Sequence, residues 1–405
     1  MIHLDKHNNP FFGRYLVLGP PDWNLIDLLY SFLHLATKNN STEDLESAIK
    51  RFFGTSHVMV TNLGRTALTL GLKGIGLGRG SGVILPTVIC PTVIRAVLQA
   101  GCRPILVDVE RNLHVSVRIL DSCQEKARAV IVPHLYGLSA PIQEIREWSK
   151  KAGLYLIDDA AQAAGISIDG KYLGTFGDVG ILSFGPFKSL NTPRGGALIS
   201  ENGDLIASAK DNGLQPESFY WAIRRIMGGL IKFRLRSYYL RIKDLNHKKI
   251  KRIISSQQLS DTETANEMLR LSHLEAQLVQ SVLGRSASIV ANRKKTAHET
   301  WEMLKIFNKF EFVGEDNAPY IKIPIRILGG LTAEDGVRSF RSMKIEAERI
   351  YRPLHLYEQY QDYASEPLLT AKENWERIFL VPNPVAEGTT GINRLMEAFR
   401  ALSRR

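Results

Sequence analysis

The sequence predicts an α/β protein, with a large domain built on a mostly parallel central sheet flanked by helices and a smaller α+β C-terminal domain. Three observations carry this expectation. Seven short apolar runs (HVMV, GVILP, RPILVDV, AVIVPHLYG, LYLIDDA, VGILSFG and GALIS) fall between residues 57 and 200. Helical patterns near 65–76, 92–101 and 141–152 separate several of them, and strands alternating with helices imply βαβ units around a buried sheet. The chain has 405 residues, 44% hydrophobic and 23% charged. That is ample for a sizeable core and excludes a disordered, collagenous or disulfide-stapled protein.

Taken in order, residues 23–52 read as helix, ending in the amphipathic LESAIKRFFG that stops at Gly54. The strand-helix alternation occupies roughly 55–205, and residues 262–305 read as one long helix. The last hundred residues mix strands (APYIKIPIRI, WERIFLVPN) with helices (AEDGVRSFRSM, INRLMEAFRALSRR). The expected organisation is an N-terminal helical segment at 1–54, a large α/β domain at 55–260 with a basic insert at 215–258, and 261–405 as a long interdomain helix with the small domain. Cys90, Cys102 and Cys123 cannot pair completely and show no metal-ligand spacing, so reduced thiols and no metal site are expected. MIHLDKHNNP lacks the features of a secretory signal, and no run approaches the roughly 18 apolar residues of a membrane span. The expected location is cytoplasmic.

The chemistry is carried by three elements. GIGLGRG at 74–80 is not one of them, because it follows a helix and precedes a strand, the reverse of the phosphate-binding order. In NLGRTALTL at 62–70 a strand leads through Gly64 into a helix, where free N–H groups and the helix dipole favour an anion. Arg65 and Thr66 could add donors, and an ordinary capped helix start is the other reading. LIDDAAQAAG at 156–165 sets Asp158 and Asp159 at the C-terminal end of a strand, where open α/β sheets bind ligands. Neighbouring strand residues point to opposite faces, so one carboxylate is expected to face a site; a helix N-cap is the alternative. Lys188 lies in an irregular Pro/Gly-bounded loop between two strands, at a sheet edge or simply solvated. A phosphate cradle, an Asp at a strand end and a Lys about thirty residues later together match pyridoxal phosphate, whose phosphate, pyridine nitrogen and aldehyde want those three groups.

At this point the chain resembles the DegT/StrS-type sugar aminotransferases, which are fold-type I pyridoxal-phosphate enzymes, from about Leu45 to Leu402. LIDDAAQAAG looks like that family's (V/I)(E/D)DAAQA(H)G segment and YLGTFGDVGILSFGPFK like its GTFGD…SF..(T)K segment, while VPHLYG and RPLHL also match. The resemblance makes 55–260 the cofactor-binding domain, Lys188 the Schiff-base lysine, Asp159 the partner of the pyridine nitrogen and Gln162 a neighbour of the ring oxygen. Gly64, Arg65, Thr66 and Ser183 would hold the phosphate, with Cys90 where most members stack an aromatic ring on the cofactor. It implies a homodimer with active sites at the interface. The amino donor would usually be glutamate and the acceptor a keto sugar on a nucleoside diphosphate, in glycan or secondary-metabolite biosynthesis. A ketocyclitol acceptor, or a non-catalytic cofactor-binding or regulatory protein, are the rivals. Relatives with His at the lysine position are dehydratases, so Lys188 implies transamination.

Departures from the family pattern mark three further positions. Arg194 stands where the usual Glu precedes the paired glycines. ANEMLRLS puts Met268 where the partner subunit normally offers an Asn to the phosphate, with Asn266 as a substitute. His355 in RPLHL and His134 in VPHLYG read as structural, although His355 could approach the substrate. The substrate-side candidates are therefore Arg194, Asn266 and His355.

The net charge of +11 is local. Residues 224–252 hold 11 of the 52 Lys/Arg and 1 of the 41 Asp/Glu. Helical spacing puts Arg225, Lys232, Arg236 and Lys243 on one face, opposite Ile223, Ile226, Met227, Leu230 and Ile231. This insert reads as a solvated flap, a lid for an anionic substrate, a peripheral membrane contact through 217–252, or the site of an acidic protein partner. No nucleic-acid-reading module accompanies the charge.

Overall fold

The computed structural model describes residues 16–35, 41–231, 268–364 and 366–405. In chain order the first half comprises α1 (Leu25–Leu35), α2 (Ser41–Phe53), β1 (His57–Thr61), α3 (Gly64–Gly74), β2 (Gly82–Pro86), α4 (Pro91–Gln99), β3 (Arg103–Val107), α5 (Val117–Asp121), β4 (Ala129–Pro133), α6 (Ile142–Ala152) and β5 (Tyr155–Asp159). There follow the hairpin β6 (Ser167–Ile168) and β7 (Lys171–Tyr172), then β8 (Val179–Ser183), β9 (Gly196–Ser200), α7 (Gly203–Asp211) and a helix α8 over 219–231. The C-terminal part holds α9 (His273–Leu283), α10 (Ser286–Leu304), β10 (Phe310–Phe312), β11 (Lys322–Ile327), α11 (Ala333–Ser342), β12 (Glu348–Arg349), α12 (Leu369–Arg377), β13 (Ile378–Pro382) and α13 (Thr389–Ser403).

The seven apolar runs are the seven strands of one sheet, in the order β1-β9-β8-β5-β4-β2-β3. The five strands from β8 to β3 are parallel, and only β9 runs against its neighbours. Alternation along each strand builds two cores. Val58, Val60, Val130, Val132 and Leu156 pack on one face with residues of α2 and α6; Met59, Ala129, Ile131 and Ile157 pack on the other with residues of α3, α4 and α7. Burial on both faces is why these runs read as nearly continuous apolar stretches. The second, antiparallel sheet, β10-β11-β13-β12, packs against α11 and α13 around Phe340, Phe379 and Phe399.

Within the helix expected over 23–52, α1 covers Leu25–Leu35 and α2 Ser41–Phe53, and residues 36–40 lie outside the described residues. One helix reading is corrected. The long C-terminal helix breaks at Gly284–Arg285, and Arg285 turns back to Asp27 at 2.7 Å. GIGLGRG forms the turn from α3 to β2, with Gly76 and Gly80 at φ +76° and +84°.

Candidate active site

All parallel strands end at one edge of the large sheet, and the candidate residues gather there. Asp159 ends β5 beside Pro133 of β4 and Ile181 of β8. Ser183 ends β8, paired with Gly196, which also pairs with Thr61 at the end of β1. This is the edge at which open α/β sheets bind ligands.

The aspartate pair divides by strand alternation. Asp158 follows the face of Leu156 and is fully buried: Oδ1 accepts from His134 Nε2 at 2.8 Å, and Oδ2 from the backbone N–H groups of Gly174 and Phe176 at 2.8 and 2.9 Å. His134 Nδ1 accepts from Ala140 N at 3.0 Å, which puts its proton on Nε2. Asp158 and His134 thus hold the turn after β7 and the chain after β4.

Asp159 takes the opposite face and is 6% exposed. Its only side-chain hydrogen bond among the described residues comes from Ala161 N to Oδ1 at 3.0 Å. Burial pushes its carboxyl above the usual range, against the pull of the Ala161 N–H and of the Lys188 ammonium. Lys188 is half-buried and forms no hydrogen bond or ion pair among the described residues. The loop that carries it is closed by Thr192 N to Phe184 O at 2.7 Å and Phe184 N to Gly195 O at 2.9 Å. Ser189 Oγ anchors it to Ala164 O at 2.8 Å, and Asn191 Nδ2 to Gly19 O at 3.0 Å. Phe187, immediately before the lysine, sits at φ +62°. A non-glycine residue held in the left-handed region marks a position over-determined by its surroundings.

Gly64 opens α3 directly against Ser183. A Cβ on Gly64 would stand 2.9 Å from Ser183 Cβ and 3.2 Å from its Oγ. Ser183 is 6% exposed, and its hydroxyl has no hydrogen bond among the described residues. Leu63, which caps α3, supplies no side-chain cap, so the first N–H groups of the helix face the same space. Thr66 is turned to Asn62 Oδ1 at 2.9 Å. A buried unpaired carboxylate oxygen, an amine, a free hydroxyl and an uncapped helix start are the donor set that a phosphorylated pyridine aldehyde requires, so the residues fit pyridoxal phosphate.

Around this centre, Gln162 Oε1 accepts from Tyr136 N at 3.0 Å and its Nε2 donates to Tyr351 OH at 3.1 Å. The two tyrosine rings stack at 5.7 Å, and Tyr351 N donates to Tyr136 OH at 3.1 Å. Sequence reasoning passed over Tyr351, which lies 189 residues from Gln162; no spacing rule reaches that far. Cys90 precedes α4 and packs against the same core as Met268. His355 Nδ1 shares a 2.9 Å hydrogen bond with Thr87 Oγ1 just after β2, and burial holds its pKa below the usual value. Asn266 lies outside the described residues.

Arg194 is brought to the edge but is engaged in an ion network. It pairs with Glu217 at 3.0 Å; Glu217 also takes Arg225 at 2.9 Å, and Arg225 reaches the buried Glu275 at 2.7 Å. The network corrects the insert's helical faces. Arg225 points inward, beside the buried Ala222 and Ile226, while Met227 and Ile231, expected on the packed side, are exposed. Two buried acids on Glu217 and α9 outweigh the apolar periodicity in setting the rotation of α8. Lys232, Arg236 and Lys243 lie outside the described residues.

The fold is that of the α/β, mostly parallel-sheet aminotransferases. A Brucella abortus DegT DnrJ EryC1 StrS aminotransferase superposes with a TM-score of 0.73 at 20% identity, over 94% of this chain and 96% of that one. PseC of Helicobacter pylori, an aminotransferase of pseudoaminic acid biosynthesis, gives 0.76 at 16% identity over 96% and 100%. The DegT/DnrJ/EryC1/StrS aminotransferase family model matches residues 33–400, and the chain belongs to that family. GDP-perosamine synthase of Vibrio cholerae is 31% identical over 193 residues, 46% of this chain and 52% of that protein. A UDP-N-acetyl-3-dehydro-alpha-D-glucosamine 3-aminotransferase of Acidithiobacillus ferrooxidans is 35% identical over 162 residues, 40% of this chain and 44% of that protein. The chain spans about half the length of the curated relatives it matches.

Proposed function

We propose that the chain is a pyridoxal-phosphate-dependent aminotransferase that passes an amino group, from L-glutamate, to a keto sugar carried on a nucleoside diphosphate. The observation that carries the reading is Lys188, without an ion pair among the described residues, set on the same sheet edge as the buried Asp159. The curated relatives named for nucleotide-sugar substrates support the acceptor class.

The bound cofactor supplies an electron sink for the carbanion formed beside the substrate nitrogen. Asp159, as the carboxylate, would hold a proton at the cofactor's pyridine nitrogen, and the positive charge there would offset the burial that raises its own carboxyl. Lys188 would hold the cofactor's aldehyde, and its amine, when free, would move a proton from the substrate carbon as general base. The α3 N-terminus at Gly64, with Arg65, Thr66 and the Ser183 hydroxyl, binds the phosphate. Gln162 and Cys90 would border the ring, with His355 and Arg194 on the substrate side; Asn266 is a candidate by the family pattern alone. A homodimer with the sites at its interface, as the family resemblance implies, completes the reading.

Incubating the purified protein with pyridoxal phosphate should give the visible absorbance of a lysine-bound cofactor. Excess L-glutamate should bleach it, and Lys188→Ala should abolish both changes. A cofactor spectrum that no amino donor alters would leave a binding protein without transamination.

A further inference from the structure

Gln162 lies in the turn that follows β5, close after Asp159, and is 8% exposed. Its amide is fixed from both ends. Tyr136 N donates to Oε1 at 3.0 Å, and a backbone N–H can only donate, so the amide oxygen must face it. Nε2 therefore faces Tyr351 and donates to its hydroxyl at 3.1 Å. A side-chain amide nitrogen carries two protons, and the second has no acceptor among the described residues.

The residue that receives the first proton comes from the small domain. Tyr351 follows β12, an edge strand of the small sheet, and a closed ring of contacts holds it in place. Its N–H donates to Tyr136 OH at 3.1 Å, and the two rings stack with 19° between their planes. Tyr136 is wholly buried, sits at φ +59°, and accepts at its carbonyl from Ile321 N at 3.0 Å. A bulky residue kept in the left-handed region is over-determined by its surroundings. Here those surroundings are Gln162 on one side and two segments of the small domain on the other. Burial, with Cys90 and Tyr136 close by, pushes the Tyr351 hydroxyl well above its usual value, so it stays protonated.

The inference rests on the pyridoxal-phosphate reading. In that reading the phosphate goes to the α3 N-terminus and Ser183, the pyridine nitrogen to Asp159 and the aldehyde to Lys188. The polar atom of the cofactor still without a protein donor is the hydroxyl oxygen on its ring, and a buried acceptor left unpaired is costly. We propose that Tyr351 is a positioning residue: by fixing the Gln162 amide it reserves the second Nε2 proton for that ring oxygen, and so makes the small domain part of cofactor recognition. Without the Tyr351 hydroxyl, the amide keeps the Tyr136 N–H as its one tether and can turn about it.

The test is fluorescence titration of the full-length protein with pyridoxal phosphate and with deoxypyridoxal phosphate, the analogue lacking the ring hydroxyl. Tyr351→Phe keeps the ring and its stack and removes only the hydroxyl. It should weaken pyridoxal phosphate about three- to tenfold and leave the analogue unchanged. Gln162→Ala should show the same selective loss, and the double variant should lose little more, because the two residues act as a unit. Loosening of the fold would weaken both ligands alike, so the ratio of the two affinities separates positioning from stability. An equal loss for both ligands in Tyr351→Phe, or no loss for either, overturns the proposal, as does an additive double variant. Gln162→Ala without selectivity overturns it through the placement of Gln162. Failure of the unmutated protein to bind either ligand would overturn the pyridoxal-phosphate reading, and the proposal with it. Every readout is binding and needs no turnover.

Discussion

His134 donates through Nε2 to Asp158 Oδ1 over 2.8 Å, and both side chains are wholly buried. The pair stands one residue from Asp159 and fixes which of two adjacent carboxylates faces the lysine. With Gly174 and Phe176 also donating, Asp158 accepts three hydrogen bonds that nothing else could satisfy. Asp158→Ala should destabilise the protein by roughly 3–5 kcal/mol, because three buried donors lose their acceptor. His134→Phe should cost about 1–3 kcal/mol. Urea unfolding of both variants measures the difference.

Asp159 carries the opposite balance. Burial raises its carboxyl pKa in the cofactor-free chain, so the folded state binds its proton more tightly than the unfolded state does. Its contribution to stability is therefore largest at low pH and is lost as pH rises through the folded value. Asp159→Asn should raise the melting temperature of cofactor-free protein at neutral pH, while lowering transamination by about 10²-fold or more. With cofactor bound the order of melting temperatures should reverse; thermal melts with and without pyridoxal phosphate read both.

Gly64→Ala probes the phosphate cradle without touching the lysine. The added methyl would stand 2.9 Å from Ser183 Cβ and fill the space before the α3 N-terminus. Affinity for pyridoxal phosphate should fall by about tenfold or more, while affinity for unphosphorylated pyridoxal should change little. Fluorescence titration with the two ligands makes the comparison. An equal loss for both would place the phosphate elsewhere.

His114 sets an acid limit to stability. It is buried, its Nδ1 has no hydrogen-bond partner among the described residues, and burial with the nearby His134 lowers its pKa from 6.5 to about 3. The unfolded chain takes up this proton below pH 6.5 and the folded chain does not, so stability is full above that value and declines as pH falls towards 3. His114→Leu should flatten that decline and remove an unsatisfied polar atom from the core. Melting temperature against pH across that window, for both proteins, checks it.

Much of this was legible in the residues. The seven strands are the seven apolar runs because burial on both faces leaves no polar alternation to obscure them. Asp159 and Lys188 stood out because strand ends and Gly/Pro-bounded loops are where an α/β sheet presents side chains. Strand parity also implied that Asp158 and Asp159 would part. Tyr351 and its stack on Tyr136 were invisible, because a contact between residues so distant in sequence is made only when the small sheet closes on the large one. The break between α9 and α10 was missed for a similar reason: the helical pattern continues through it, and the bond from Arg285 to Asp27 belongs to another element.

The sequence by itself determined the class of fold, the family motifs and the location of the excess charge, since each is written in local period, turn chemistry or composition. Tertiary structure alone decided the rotation of α8. By period Arg225 belongs on the solvent side; it turns inward because Glu217 and Glu275 wait there, and the buried Glu275 without its cation would cost more than two exposed apolar side chains. The basic insert is therefore joined to the body by an ion network.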